Sequence, residues 1–145
     1  MPALTLDLAR QLLDQAMLRA SQEFKRPICV SVCDHTGLLL AFARMDGAPF
    51  RSVAISQGKA YSAARMGTTT QAVLERLHRE GIQVGDFCDP QLTSLPGGSP
   101  LKEQDGTLRG AIGVSGSTVE NDHTVAEAGA KAIGRTELPA HPWRT

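Results

Sequence analysis

Pro27-Ile28-Cys29-Val30-Ser31-Val32-Cys33-Asp34-His35-Thr36-Gly37-Leu38-Leu39-Leu40-Ala41-Phe42-Ala43-Arg44-Met45 is the stretch that decides the fold. Its first part has period two: Ile28, Val30 and Val32 point one way, and Cys29, Ser31 and Cys33 point the other. Asp34-His35-Thr36-Gly37 supplies turn chemistry, and residues 38–45 follow as a second apolar strand. The spacing predicts a β-hairpin.

Outward from the hairpin the period changes to that of helices. Residues 6–24 place Ala9, Leu12, Leu13, Ala16, Met17, Ala20 and Phe24 on one face. Thr5 is placed to cap this helix, and Pro27 stops it. Downstream, Asp46-Gly47-Ala48-Pro49 breaks the second strand, and an Ala-rich helix over 52–66 ends at Gly67. Threonines 68–70 cap a further helix over 71–80, with Val73, Leu74 and Leu77 inward. Residues 81–90 read as irregular, 92–95 as a strand, and Pro96-Gly97-Gly98-Ser99-Pro100 as a loop. Strands over 101–104 and 108–115 are joined by the turn Asp105-Gly106, and a last helix runs over 120–133. From Arg135 the chain reads as an extended tail, docked through Trp143. Hairpins without βαβ alternation predict α+β architecture, an antiparallel sheet with helices packed on it.

The 145 residues give room for one domain, with a core over about 5–134 and the tail at 135–145. Fifteen basic residues balance fifteen acidic ones, so no net field draws in nucleic acid or anionic lipid. The apolar run 38–43 is too short to span a bilayer, and the first ten residues lack the pattern of a signal peptide. Cys29, Cys33 and Cys88 form an odd, sparse set suited to a reducing compartment, and the cytoplasm is the expected location. On one strand Cys29 and Cys33 stand roughly 13 Å apart at about 3.3 Å per residue. That is too far for one tetrahedral zinc, and no metal site is expected.

Three glycine-bearing segments carry the candidate chemistry. They are Arg44-Met45-Asp46-Gly47-Ala48-Pro49, Pro96-Gly97-Gly98-Ser99-Pro100 and Gly113-Val114-Ser115-Gly116-Ser117. Two glycines framed by prolines let main-chain N–H groups converge on an anion or carbonyl, and a strand-to-helix turn does the same. Neither matches a nucleotide loop. Lys59, between Gly58 and Ala60, reads most simply as solvent-facing. The alternative is that it reaches the loop glycines and pairs with a ligand carboxylate or an internal Asp.

Taken together, Val30-Ser31-Val32-Cys33-Asp34-x-x-Gly37, Arg44-Met45-Asp46-Gly47-Ala48, Lys59-Ala60-Tyr61-Ser62-Ala63-Ala64, Pro96-Gly97-Gly98-x-Pro100, Gly110-Ala111-Ile112-Gly113-Val114-Ser115-Gly116 and Asp122-x-x-Val125-Ala126 resemble the GlcG/HbpS family, which includes the C-terminal domain of PduO-type proteins. The resemblance implies a profilin-like three-layer α/β/α arrangement with a five-stranded antiparallel sheet in the order 2-1-5-4-3. It also implies homo-oligomers, from dimers to octamers, and haem as a cofactor of some members.

Two functions follow as expectations. The first is binding of a small organic ligand, haem or another tetrapyrrole, in a Gly-rich pocket made by Arg44, Asp46, Lys59, Gly97, Gly98, Ser115, Gly116 and Asp122. The second is a catabolic isomerase or lyase acting on a small carboxylated substrate. There Asp46 or His35 would be the acid/base and Lys59 the charge stabiliser. A chain that only assembles with a protein partner is the third and plainest reading.

Overall fold

The computed structural model describes residues 3–133. The expected tail, with Trp143, lies outside them.

The first helix, α1 (Leu6–Arg19), begins at Thr5, whose side chain accepts the Leu8 N–H at 3.2 Å. A π-helical turn, Ala20–Phe24, extends it until Lys25 takes a left-handed conformation. Strands β1 (Cys29–Asp34) and β2 (Leu39–Arg44) form the expected hairpin. In its turn Asp34 Oδ1 accepts the N–H groups of Thr36 and Leu38. Helix α2 (Arg51–Met66) ends at Gly67, and α3 (Thr70–Glu80) is capped by Thr69. Strands β3 (Gly98–Lys102) and β4 (Leu108–Ser115) form the second hairpin, and α4 (Val119–Lys131) starts from Thr118.

The sheet is antiparallel in the order β2-β1-β4-β3. It has four strands, not five, because residues 92–95 do not pair with it. Their main-chain groups are taken by helix side chains instead: Ser62 Oγ accepts the Thr93 N–H at 2.8 Å, and the Thr70 hydroxyl donates to the Leu95 carbonyl at 2.7 Å. The expected Pro96–Pro100 loop is corrected too, since Gly98, Ser99 and Pro100 belong to β3. At a sheet edge the missing N–H of Pro100 breaks no ladder bond when it faces outward.

Alternation along β1 and β4 separates two unlike interiors. Ile28, Val30, Val32, Ile112 and Val114 meet Leu12, Leu13 and Ala16 of α1 and Val125 and Ala126 of α4 in the main aliphatic core. On the other face Cys33 and Ala111 meet Ala60, Ala63 and Ala64 of α2. Small residues there let α2 lie close to the sheet. A Cβ on Gly113 would stand 2.1 Å from the Ser56 carbonyl oxygen and 2.5 Å from the Ala60 nitrogen. Helices on both faces make three layers, α/β/α.

Candidate functional site at the glycine end of the sheet

Antiparallel connectivity gathers the three glycine segments at one end of the sheet. There β1 and β3 begin, β2 and β4 end, and α2 and α4 start. Across that end Arg44, Cys29 and Ser115 stand in one row of the ladder.

Inside this end lies an ion pair. Lys59 comes from α2 on one face of the sheet and Asp122 from α4 on the other, and their side chains are only 2% and 3% exposed. Lys59 Nζ donates to Asp122 Oδ2 at 3.2 Å and to the Val114 carbonyl at 2.8 Å. The second carboxylate oxygen accepts the Ser117 N–H at 3.1 Å. Burial pushes the Asp122 carboxyl up and the Lys59 ammonium down, while their mutual attraction opposes both shifts.

Lys59 therefore does not face solvent; it makes the internal pair that was its alternative reading. Gly97 makes room for it, since a Cβ there would stand 2.8 Å from Nζ and 2.5 Å from the Val114 oxygen. Gly98 is buried as well, its N–H held by Thr70 Oγ1 at 2.9 Å. The glycine loops thus converge, but Asp122 takes the main-chain donors of the Gly116–Ser117 turn, and Thr70 takes that of Gly98.

Arg44 and Asp46 lie further out, on an open depression of about 660 Å³ that Gly47, Ala48, Pro49, Phe50 and Arg51 complete. Phe50 is 85% exposed, with the Arg44 guanidinium 5.9 Å from its ring centre. Neither Arg44 nor Arg51 takes part in an ion pair among the described residues. Phe50 also occupies the N-cap of α2 and provides no side-chain cap, so the positive end of that helix opens here. Below, Ser115 Oγ donates to Ser52 Oγ at 3.2 Å. Burial raises the Cys29 thiol, against a smaller opposing pull from Arg44.

His35 is exposed in the β1–β2 turn, at the far end of β1 from Arg44 and Asp46. One chain does not bring His35, Asp46 and Lys59 together. Phe50 and Arg51 are absent from the expected site. Their signal was a large aromatic, rather than Ser, Thr or Asp, at a helix start just after Pro49.

Relatives share this architecture. The family model described as Haem degrading protein HbpS-like matches residues 4–131. The chain is 38% identical over 117 residues to a 15.0 kDa protein of the dhaT-dhaS intergenic region of Citrobacter freundii, covering 78% of this chain and 80% of the relative. It is 36% identical to protein GlcG of Escherichia coli K12 over 109 residues, 72% of this chain and 79% of GlcG. The crystal structure of a PduOC:haem complex superposes with a TM-score of 0.80 at 29% identity, covering 92% of this chain and 96% of that one. The chain belongs to the HbpS-like family.

Proposed function

We propose that this protein binds a small, flat, carboxylated molecule, haem or another tetrapyrrole, at the Arg44–Arg51 depression. The observation that carries this reading is the pair of guanidinium groups without an ion-pair partner among the described residues, beside an 85% exposed phenylalanine ring. Charge-assisted bonds from Arg44 and Arg51 suit carboxylate groups such as propionates, and Phe50 suits the ring face. Asp46 at the rim suits a polar substituent. Ser115, Gly116, Gly97, Gly98, Lys59 and Asp122 form the floor that holds the loops in place. A haem complex of the related PduOC protein supports the ligand class.

The lining fits a porphyrin better than it fits an iron atom. Among the described residues no imidazole lines the depression, and the Met45 sulfur beside it already accepts the Ile28 N–H at 3.4 Å. Haem bound here would supply its iron chemistry, and the chain's part is to hold carboxylates and cover one ring face. The three free cysteines suit a reducing cytoplasm, and no described helix is long and apolar enough to cross a membrane.

Titration with haemin and with iron-free protoporphyrin IX, followed by Soret absorbance and tryptophan fluorescence, tests the reading. Both ligands should bind. The double variant Arg44→Ala/Arg51→Ala should weaken both by at least about tenfold, because each charge-assisted hydrogen bond is worth about 1.5–3 kcal/mol. No spectral change, or undiminished binding by the double variant, overturns it.

A further inference from the structure

We infer that the ligand of the Arg44–Arg51 depression is a tetrapyrrole with acidic groups all round its ring, of the coproporphyrin or uroporphyrin class. This rests on the ligand reading above and narrows it. The chain has equal numbers of acidic and basic residues, but they are not evenly spread. At the glycine end Lys25, Arg26, Arg44 and Arg51 are all exposed, and none takes part in an ion pair among the described residues. The acids of this end are largely engaged. Arg19 holds Glu23, and Lys59 holds Asp122. Exposed Asp46 and Glu120 remain against the four cations. Asp34 and Asp105 stand in the turns at the opposite end of the sheet, hydrogen-bonded within those turns.

Main-chain packing brings Lys25 and Arg26 to the depression. The segment that enters β1 lies against the segment that leaves β2. The Met45 N–H donates to the Ile28 carbonyl at 3.0 Å, and the Ile28 N–H donates to Met45 Sδ at 3.4 Å. A Cβ on Gly47 would stand 3.6 Å from Pro27 Cγ, so Lys25 and Arg26 flank the loop that walls the depression. Haem carries both propionates on one edge of its ring, with methyl and vinyl groups on the others. Arg44 and Arg51 suffice for that edge. A ring with carboxylates on every edge also engages Lys25 and Arg26, across the apolar wall of Ala48, Pro49 and Phe50. Like charges gathered without partners repel, and a bound polyanion relieves that repulsion. The concave shape favours a discrete ring over a flat lipid surface.

Titration of the full chain with protoporphyrin IX, the tetracarboxylate coproporphyrin III and the octacarboxylate uroporphyrin III, at low and high salt, tests this. One or both of the more acidic porphyrins should bind at least about tenfold tighter than protoporphyrin IX, the gain expected of one added charge-assisted hydrogen bond. High salt should shrink that advantage. Lys25→Asn/Arg26→Gln should abolish the preference with an unchanged far-ultraviolet circular dichroism spectrum. Asparagine is chosen because Lys25 has φ 54°, a left-handed conformation that Asn tolerates. If neither acidic porphyrin binds tighter than protoporphyrin IX, or the double variant keeps the preference, the inference is overturned while the ligand reading stands. No porphyrin binding at all overturns both. Co-sedimentation with phosphatidylserine vesicles, without a porphyrin preference, would assign the cations to a lipid surface and also overturns it. The wild-type ranking and its salt dependence decide the matter even if the double variant does not fold.

Discussion

Lys59 and Asp122 carry opposite charges to a place that water does not reach, and each is tolerable only because of the other. Removing one partner strands a buried charge, whereas removing both leaves an apolar gap of similar shape. Lys59→Met should therefore destabilise the fold by about 3–5 kcal/mol, and Lys59→Met/Asp122→Leu should recover most of that loss. Urea denaturation of the two variants checks this. A double variant no more stable than the single one would show that the pair does not act as a unit. In the sequence, a lysine between Gly58 and Ala60 reads as solvated, because helical periodicity says nothing about a gap in the sheet beside it. That gap is Gly97, 38 residues away, whose missing side chain opens the passage from α2 to α4. Asp122 was legible as a polar residue near a helix start, but its partner on the opposite layer was not.

The elements themselves were largely legible, since caps and period act locally. Thr5 and Thr69, from the expected caps, accept an N–H from the first turn of their helix at 3.2 and 3.1 Å, and Thr118, which was not among the expected caps, does the same for α4 at 3.1 Å. The errors fell where a local preference met a competing side chain. Residues 92–95 are apolar enough for a strand, yet Ser62 and Thr70 take the main-chain bonds a neighbouring strand would have used. Gly98 to Pro100 looked too irregular for a strand, yet a sheet edge tolerates proline, and paired glycines suit the close approach of α2. The packing of α2 on β4 is the tightest demand of this kind. Gly113→Ala forces a Cβ against the α2 backbone, and it should abolish cooperative unfolding or prevent soluble folding. Gly85→Ala meets nothing within 4 Å and should shift stability by no more than about 0.5 kcal/mol. Thermal melts of the two variants side by side make the comparison. Equal melting temperatures would mean that α2 can move away from the sheet at little cost.

For the molecule as a whole, three layers distribute the cysteines unequally. Cys29 and Cys33 lie on the α2 face of β1, buried, and Cys33 is pushed up to about 12 mainly by that burial. Cys88 is exposed beyond the 3-10 turn Val84–Phe87. Because the thiolate is the reactive form, the folded chain should give one fast equivalent with Ellman's reagent and three in denaturant. Two fast equivalents would place α2 away from β1 in solution. The ligand proposal also belongs to this scale. It rests on a surface feature, the Phe50 shelf, that exists only once the layers have formed.

From the residues alone came the hairpins, the helices with their caps, the α+β class and the family likeness, all of which depend on neighbours within a few positions in the chain. Tertiary structure alone decided the strand count, the fate of Lys59, the distance of His35 from Asp46, and the emergence of Phe50 and Arg51 beside Arg44. The physical reason is that a site joins groups from separate layers. Which donors remain free for a ligand is settled only after the chain's own side chains have claimed theirs, as Asp122 claims those of the glycine turn.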